Sequence, residues 1–311
     1  MLGGCNGSQS TVPPTLPKSA PGAAHVSRSS LDKAPGTRRS GPLLYVSDGG
    51  DNFLYVFSLP DANLVQKITG FAAIAGVCSD KEGNIFVLDS EADSIKEYAH
   101  GGKEPIAVLN DPEATPIGCS VDPTTENLAV ANEITVNGTD HVEPGDIAIY
   151  TNAKGTPKDY TDPSMVSVAF DSYDGTGNLY VSGVADSYQN SDFAVLHRGA
   201  NKLTNLTLNQ SFSEYSALQW DGQYLAVASE SDNQIYRFKI SGTKGRKVGT
   251  TQLVGASAVY DFWIQKHDIY APVRSNDQPM VGFYPYPKGG RPTKTLLGFA
   301  GAFSATVSIL P

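Results

Sequence analysis

A short hydrophobic strand that ends in a turn or loop recurs six times along the chain, and its spacing restricts the fold more than any other feature. The copies are LLYVSD (43–48), IFVLD (85–89), NLAVAN (127–132), NLYVSG (178–183), YLAVAS (224–229) and DIYAPV (268–273). The aligned residues Tyr45, Phe86, Ala129, Tyr180, Ala226 and Tyr270 are 41, 43, 51, 46 and 44 positions apart. Strand-rich units with such a period are typical of a β-propeller, in which each unit is a blade of four antiparallel strands.

The two ends of the repeat predict how the ring closes. The first unit lacks an inner strand, whereas GFAGAFSATVSIL near the C-terminus matches GFAAIAGVCSD, which leads into the inner strand of the second unit. Residues 305–309 should therefore pair with residues 43–47, which leaves no open sheet edge at the junction. We expect an all-β, six-bladed propeller over residues 42–311, with the periodic aromatic residues packed between blades.

The N-terminal residues have a different composition. Residues 1–5, MLGGC, resemble the lipobox of bacterial lipoproteins, which implies lipidation of Cys5. Residues 6–41 are rich in Ser, Pro, Gly and Ala, so they cannot bury enough apolar surface to offset the entropy of ordering. We interpret residues 6–41 as a disordered tether, which places the domain in the bacterial cell envelope or outside the cell.

The net charge of −9 disfavours nucleic acid and anionic membrane surfaces as partners, because both are bound through concentrated Lys and Arg. No apolar run approaches the roughly 20 residues of a membrane-spanning helix, so a membrane contact is expected only through a lipid anchor. A monomer is expected, with a protein, peptide or glycan partner.

Two further cysteines, Cys78 and Cys119, lie in strand-like segments. A disulfide between them is possible in an oxidising compartment, but counted back from the Asp that ends each segment they have different phases, which predicts that they point to opposite sheet faces and disfavours the bond.

The second unit, GVCSDKEGNIFVLDSEADSIKEYAHGG, resembles an NHL-type repeat, and residues 42–311 resemble the six-bladed propellers of the NHL and regucalcin/gluconolactonase kind. This resemblance implies a divalent metal, such as calcium, at the channel mouth. Of the matching positions Ala75, Ile117, Val168, Ser216, Asp261 and Ser304, only Asp261 is a suitable ligand. A metal-dependent hydrolase or lyase of lactone type, with Asp261 and Asn132 as ligands, therefore stays an alternative, and no catalytic residue is assigned.

The loops after the second strand of each blade are predicted to emerge on one face and are rich in acidic residues, whereas Lys and Arg gather in the Gly-rich corners of the opposite rim. Acidic and aromatic side chains together suit a cation, a cationic peptide or a sugar. Solvated turns would have the same composition. The residues predicted to form this ligand-binding face are Asp48, Asp89, Asn132, Glu133, His141, Asp186, Tyr188, Tyr215, Glu230, Tyr260, Asp261 and Arg274.

The sequence thus favours a non-enzymatic, tethered binding propeller. A structural protein of the envelope and the lactone-type enzyme remain the alternatives.

Overall fold

The computed structural model describes residues 24–26, 41–111, 114–136, 142–185, 190–213 and 215–311. Two short 3-10 helices lie in these ranges, at Ser90–Ala92 and Thr151–Ala153, and neither has the length or hydrophobicity needed to cross a membrane. The strands are β1 (Ala24–Val26), β2 (Leu43–Asp48), β3 (Phe53–Ser58), β4 (Leu64–Ile68), β5 (Ile74–Ser79), β6 (Ile85–Asp89), β7 (Ser94–Tyr98), β8 (Pro105–Asn110), β9 (Ala114–Val121), β10 (Leu128–Val136), β11 (Val142–Tyr150), β12 (Lys158–Tyr160), β13 (Ser167–Tyr173), β14 (Leu179–Val184), β15 (Ser191–Leu196), β16 (Thr204–Asn205), β17 (Thr207–Leu208), β18 (Ser216–Trp220), β19 (Leu225–Ser229), β20 (Gln234–Ser241), β21 (Lys244–Gln252), β22 (Ala258–Val259), β23 (Trp263–Gln265), β24 (Asp268–Ser275), β25 (Gln278–Pro285), β26 (Lys294–Leu297) and β27 (Ala302–Ser308).

The strands form six antiparallel blades, which confirms the predicted propeller. From the channel outward, blade 1 is β27-β2-β3-β4, blade 2 is β5-β6-β7-β8, blade 3 is β9-β10-β11-β12 and blade 4 is β13-β14-β15-β16. Blade 5 is β18-β19-β20-β21. In blade 6, β24 pairs with two short inner pieces, β22 and β23, and is followed by β25 and β26. Asp261 lies in the break between these inner pieces.

The last strand closes the ring as predicted, although residues 43–47 pair with residues 304–308, one position earlier than the predicted 305–309. β27 pairs antiparallel with β2, so that Leu43 lies opposite Ser308 and Val46 lies opposite Ala305. The Ser304 backbone N–H donates to the Ser47 hydroxyl at 3.1 Å, which adds a side-chain contact to the ladder. Blade 1 is therefore built from both ends of the domain.

Hydrophobic packing between blades forms the core. Five of the six clusters of buried side chains join two neighbouring blades, and the sixth joins blades 5 and 6 and also includes Ala169 and Phe170 of blade 4. Both faces of a blade can be buried in this way because successive side chains of a strand point to opposite sheet faces. The periodic aromatic residues Tyr45, Phe86, Tyr180 and Tyr270 are buried in these clusters. Each such side chain stabilises the fold by about 1.5–3 kcal/mol relative to exposure.

Two blades carry an added outer strand that the sequence did not predict. β1, which lies within the predicted tether, pairs parallel with β26 of blade 6, and β17 pairs parallel with β21 of blade 5. Each added strand covers an outer sheet edge that would otherwise present unpaired backbone groups.

Cys78 and Cys119 form a disulfide, with their Cα atoms 5.8 Å apart, so the prediction that disfavoured the bond is wrong. Cys78 lies opposite Phe86, the second residue of β6, whereas Cys119 lies opposite Val130, the third residue of β10. The cysteines therefore do point to opposite faces of their own sheets. Because stacked blades turn opposite faces toward each other, that difference in phase brings the two sulfurs together. Closing this loop stabilises the fold by about 4 kcal/mol in the chain-entropy account.

Side chains also connect neighbouring inner strands around the whole channel. The disulfide joins blades 2 and 3, and hydrogen bonds that involve a side chain join the other neighbours. These bonds are Ser120 to Asp171 (blades 3 and 4), Trp220 N–H to Ser172 (blades 4 and 5), Gln219 with the Ile264 backbone (blades 5 and 6), Ser304 to Asp261 (blades 6 and 1) and Val77 N–H to Ser304 (blades 1 and 2). We refer to this set as the inner girdle.

We expect a chain that lacks residues 305–311 to lose at least about 3 kcal/mol of unfolding free energy, because β2 loses its inner partner and the buried Val307 is removed. It should also self-associate through the exposed edge of β2. Urea unfolding and analytical ultracentrifugation would measure both effects. Deleting only the exposed residues 309–311, which follow β27, is the matched control and should leave a stable monomer. Equal stability of the two deletions would contradict closure by β27.

Candidate functional site

The ends of the second strands of all six blades lie on one face of the propeller, together with the described residues of the loops that follow them and of the connections between blades. We call this the loop face. The described acidic residues that remain at least partly exposed there include Asp51, Glu91, Asp93, Glu133, Asp192, Glu230, Asp232 and Asp277. Arg274 is an exposed cation of this face. Partial burial raises the pKa of the Asp192 carboxyl above its ordinary value.

Asp48 and Asp89, which were predicted to belong to the ligand-binding face, are fully buried. Asp48 accepts hydrogen bonds from the backbone N–H groups of Ala300 and Gly301 at 2.8 and 2.6 Å. Asp89 likewise accepts from Ala72 and Ala73, and it also pairs with the Lys96 ammonium at 2.7 Å. In each case the last residue of a second strand fixes the connection that leads into an inner strand. These two carboxylates therefore stabilise the fold and are not exposed to a ligand.

Asn132 occupies the same position in blade 3, where it connects two carboxylates. Its side-chain nitrogen donates to Asp111 at 3.0 Å and to Asp146 at 2.8 Å. Burial raises the pKa of Asp146 to about 6, although the hydrogen bond from Asn132 opposes the shift, and Asp159 and Asp111 add repulsion. Burial raises the pKa of Asp111 as well. Asn132 is itself 1% exposed, so this predicted face residue also lies beneath the surface.

Two predicted aromatic residues do lie at the surface, each beside a charged group. Tyr215 is half-buried and donates from its hydroxyl to Glu133 at 2.8 Å, and the Ser167 hydroxyl lies 3.1 Å from the same oxygen. The Arg274 guanidinium lies 5.7 Å from the ring centre of the half-buried Tyr260. Glu230 follows β19, and its backbone N–H donates to the Tyr215 carbonyl at 3.3 Å.

Tyr215, in the connection between blades 4 and 5, therefore contacts the Glu133 side chain of blade 3 through its hydroxyl and the Glu230 backbone of blade 5 through its carbonyl, and we call these three residues the Glu133–Tyr215–Glu230 group. His141, Asp186 and Tyr188 lie outside the described residues, as does Cys5.

An aromatic pair lies across the channel. Phe303 belongs to the inner strand of blade 1, and its ring stacks on Phe170 of blade 4, with ring centres 6.5 Å apart. Blades 1 and 4 are opposite each other in a six-membered ring, so the pair obstructs the channel. Phe303 also packs against two of the hydrophobic clusters. The channel is narrow besides, because a Cβ at Gly76 or Gly118 would lie 2.3–2.4 Å from a carbonyl oxygen of the next blade.

Asp261, the predicted metal ligand, lines the channel in the break of blade 6. Its Oδ1 accepts from the Phe262 N–H at 2.7 Å, and its Oδ2 accepts from the Ser304 hydroxyl at 2.6 Å. Burial raises the pKa of this carboxyl to about 6. Asn132, its proposed partner in a lactone-type site, does not line the same cavity. The structure therefore does not bring together the two ligands that the enzyme alternative requires.

The opposite face is not uniformly basic. Its outer corners carry the predicted cations, but its inner turns are acidic and include Asp80, Glu82, Asp122, Glu126, Asp174, Asp221 and Asp268. The carboxylates of Asp80, Glu82 and Glu126 lie within 4.8 Å of one another, and the exposed Lys81 ammonium pairs with Glu126. The predicted division of charge between the two faces is therefore correct for the corners and incomplete for the inner turns.

Asp171, a buried acid in the middle of β13, was not among the predicted site residues. The segment VAFDSY places a carboxylate inside an otherwise apolar strand, and that interruption was the available signal.

The sequence matches no protein-family profile and no curated protein. Several solved structures share its fold. A protein of unknown function from Bacteroides caccae is 14% identical with a TM-score of 0.63, and the match covers 86% of this chain and 99% of that one. A chain of a nidogen/laminin complex is also 14% identical, with a TM-score of 0.68 and the same coverage. A functionally unknown protein from Desulfotomaculum acetoxidans DSM 771 is 13% identical with a TM-score of 0.54, over 78% of this chain and 75% of that one. At such low identity these likenesses establish the fold alone.

The raised pKa of Asp146 predicts a specific pH dependence of stability. The folded chain holds this proton up to about pH 6, whereas the unfolded chain releases it near pH 4, so stability falls as the pH rises between these values. We expect wild type to lose about 1–2 kcal/mol between pH 4 and 7 relative to Asp146→Asn, with no further change above pH 7. Urea unfolding of both proteins across this range would measure the difference. If the difference in unfolding free energy between wild type and Asp146→Asn did not depend on pH, or if wild type lost stability relative to the variant on acidification, the burial of this carboxyl would be contradicted.

Proposed function

We propose that this protein is a non-enzymatic binding propeller that holds a cationic, peptide or glycan partner on its loop face. The observation that carries the proposal is the set of exposed carboxylates on that face, which remains after the buried Asp48 and Asp89 are set aside. A surface with an excess of one charge raises the association rate of partners with the opposite charge.

The Glu133–Tyr215–Glu230 group is the proposed centre of this surface. A lysine or arginine side chain of a partner could contact the two carboxylates while its aliphatic part lies on the tyrosine ring, and a sugar could stack on the same ring. Of these partners we favour a cationic peptide, because charge is what distinguishes the face. The lactone-type enzyme is disfavoured, since Asp261 accepts hydrogen bonds at both oxygens and Asn132 lies elsewhere.

We further propose that the protein works outside the cytoplasm, anchored through Cys5. The Cys78–Cys119 disulfide supports this location, because disulfides persist in oxidising compartments and are rare in the cytosol. Cys5 is the one cysteine of the three that stands outside that pair.

Replacing Glu133 and Glu230 together by Gln should weaken binding of a fluorescent hexalysine peptide by about tenfold, because each exposed charge contributes about 0.5–1 kcal/mol. Fluorescence anisotropy would measure the affinity, which should also fall steeply between 50 and 500 mM salt, as expected for exposed charges. Glu82→Gln removes an exposed acid from the opposite face and should have no effect. Hexaglutamate should not bind. Equal binding by all variants would exclude this group as the contact.

Expressed in a bacterium behind a lipoprotein signal sequence, the protein should fractionate with membranes and carry acyl chains on its N-terminal peptide. Cys5→Ala should release it into the soluble extracytoplasmic fraction, because no second anchor is proposed. Immunoblots of the cell fractions and mass spectrometry of the N-terminal peptide would measure this. An unmodified Cys5 in a soluble wild-type protein would contradict the anchor and leave the binding proposal to its own test.

A further inference from the structure

A small cavity lies inside the channel, beyond the Phe303–Phe170 pair as seen from the loop face. Its volume is about 50 Å³, and its lining includes Phe170, Ser304 and Trp263. Trp263 also borders a surface groove at the other end of the channel. One water takes up about 30 Å³ of liquid, so the cavity has room for one or two waters, or for an ion with little of its hydration shell.

Asp171 lines this cavity and is 4% exposed. Its Oδ1 accepts a hydrogen bond from the Ser120 hydroxyl across the junction of blades 3 and 4. Its Oδ2 is buried, and none of the described residues donates a hydrogen bond to it or accepts one from it. Burying a carboxylate oxygen without a partner is costly, so this atom requires something that occupies the cavity.

Protonation alone does not meet that requirement. A proton on Oδ2 would be a buried donor without an acceptor, and a proton shared with Ser120 would leave Oδ2 without a partner. Burial raises the pKa of Asp171 to about 8, which reflects how poorly the protein stabilises its charge without a partner.

The charge inside the cavity indicates the kind of partner. Asp261 lines the cavity as well, so it contains two carboxylates, and none of the described residues that line it is Lys, Arg or His. The remaining polar lining consists of hydroxyl, amide and backbone oxygen and nitrogen atoms, including those of Ser120 and Gln219. Carboxylate and carbonyl oxygens are the ligands that calcium prefers, whereas zinc favours nitrogen and sulfur.

We propose that this cavity binds one divalent, oxygen-liganded cation, for which calcium is the best candidate, with Asp171 Oδ2 as its ligand and Asp261 as the second compensating charge. Asp171 is not among the positions where the family resemblance places metal ligands, and the site lies beyond the Phe303–Phe170 pair. Its role is structural. Asp171 and Asp261 belong to the girdle contacts between blades 3 and 4 and between blades 6 and 1, which are opposite junctions of the ring.

The test uses the full chain, freed of metal with EDTA, desalted and titrated with calcium at pH 7.5. Inductively coupled plasma mass spectrometry after gel filtration should find one calcium per chain. The melting temperature should rise by about 5 °C or more at saturating calcium. Terbium, which replaces calcium, should show luminescence on tryptophan excitation, because Trp263 lines the cavity. Trp263→Phe should reduce that emission and leave calcium stoichiometry unchanged.

Asp171→Asn retains the shape of the side chain and removes its charge, so it should weaken calcium binding by at least tenfold and abolish the calcium-dependent thermal shift. Asp277→Asn, at an exposed position of the loop face, is the matched control and should behave as wild type. If Asp171→Asn does not fold, the wild-type stoichiometry and the terbium signal decide the question. Calcium below 0.2 equivalents, with no thermal shift and no tryptophan-sensitised emission in wild type, would overturn the proposal.

Discussion

The closed ring of inner strands is the constraint on which the rest of the structure depends. A blade of four strands has two apolar faces, so it is stable only when a neighbouring blade covers each of them. In a set of six blades this condition holds for every blade only if blade 6 packs against blade 1. β27 closes the ring, because this C-terminal strand pairs with β2 and completes blade 1. The inner girdle then fixes how the strands lie along the channel, with the disulfide at one junction and hydrogen bonds at the others.

The repeat predicted the fold because the apolar pattern of a blade is nearly the same in every copy. Tyr45, Phe86 and Tyr270 are buried where their spacing placed them, and the pairing of β2 with β27 follows from the match between the two inner strands. The cysteine pair could not be predicted from phase within a single sheet. Cys78 and Cys119 meet because their blades stack, and the relevant geometry is that between sheets.

Much less of the candidate site could be predicted, because a carboxylate in a loop has the same appearance in sequence whether it faces solvent or backbone N–H groups. Asp48 and Asp89 end strands in the same manner as residues that remain exposed, and only the positions of Ala300 and Ala72 show what they bind. Asp171 was not predicted as a site residue because the apolar residues around it indicate an ordinary core strand. Burial and hydrogen-bond partners depend on chain segments far away in sequence, and a local pattern does not contain them.

The acidic residues of the chain therefore divide by depth, and each depth has its own physical role. Carboxylates that accept backbone hydrogen bonds, such as Asp48, hold the connection between two blades in place. A ligand could bind such a carboxylate only by breaking those hydrogen bonds, which would destabilise the connection. Carboxylates inside the channel, such as Asp171, require a compensating partner of their own. Only the outer ones, such as the exposed Glu91 and Asp277, can exchange water for a ligand at little cost to the fold. Because the exposed acids of the described loops lie on several blades, a partner that uses them has to extend across the loop face, which an extended cationic chain can do more readily than a small ion.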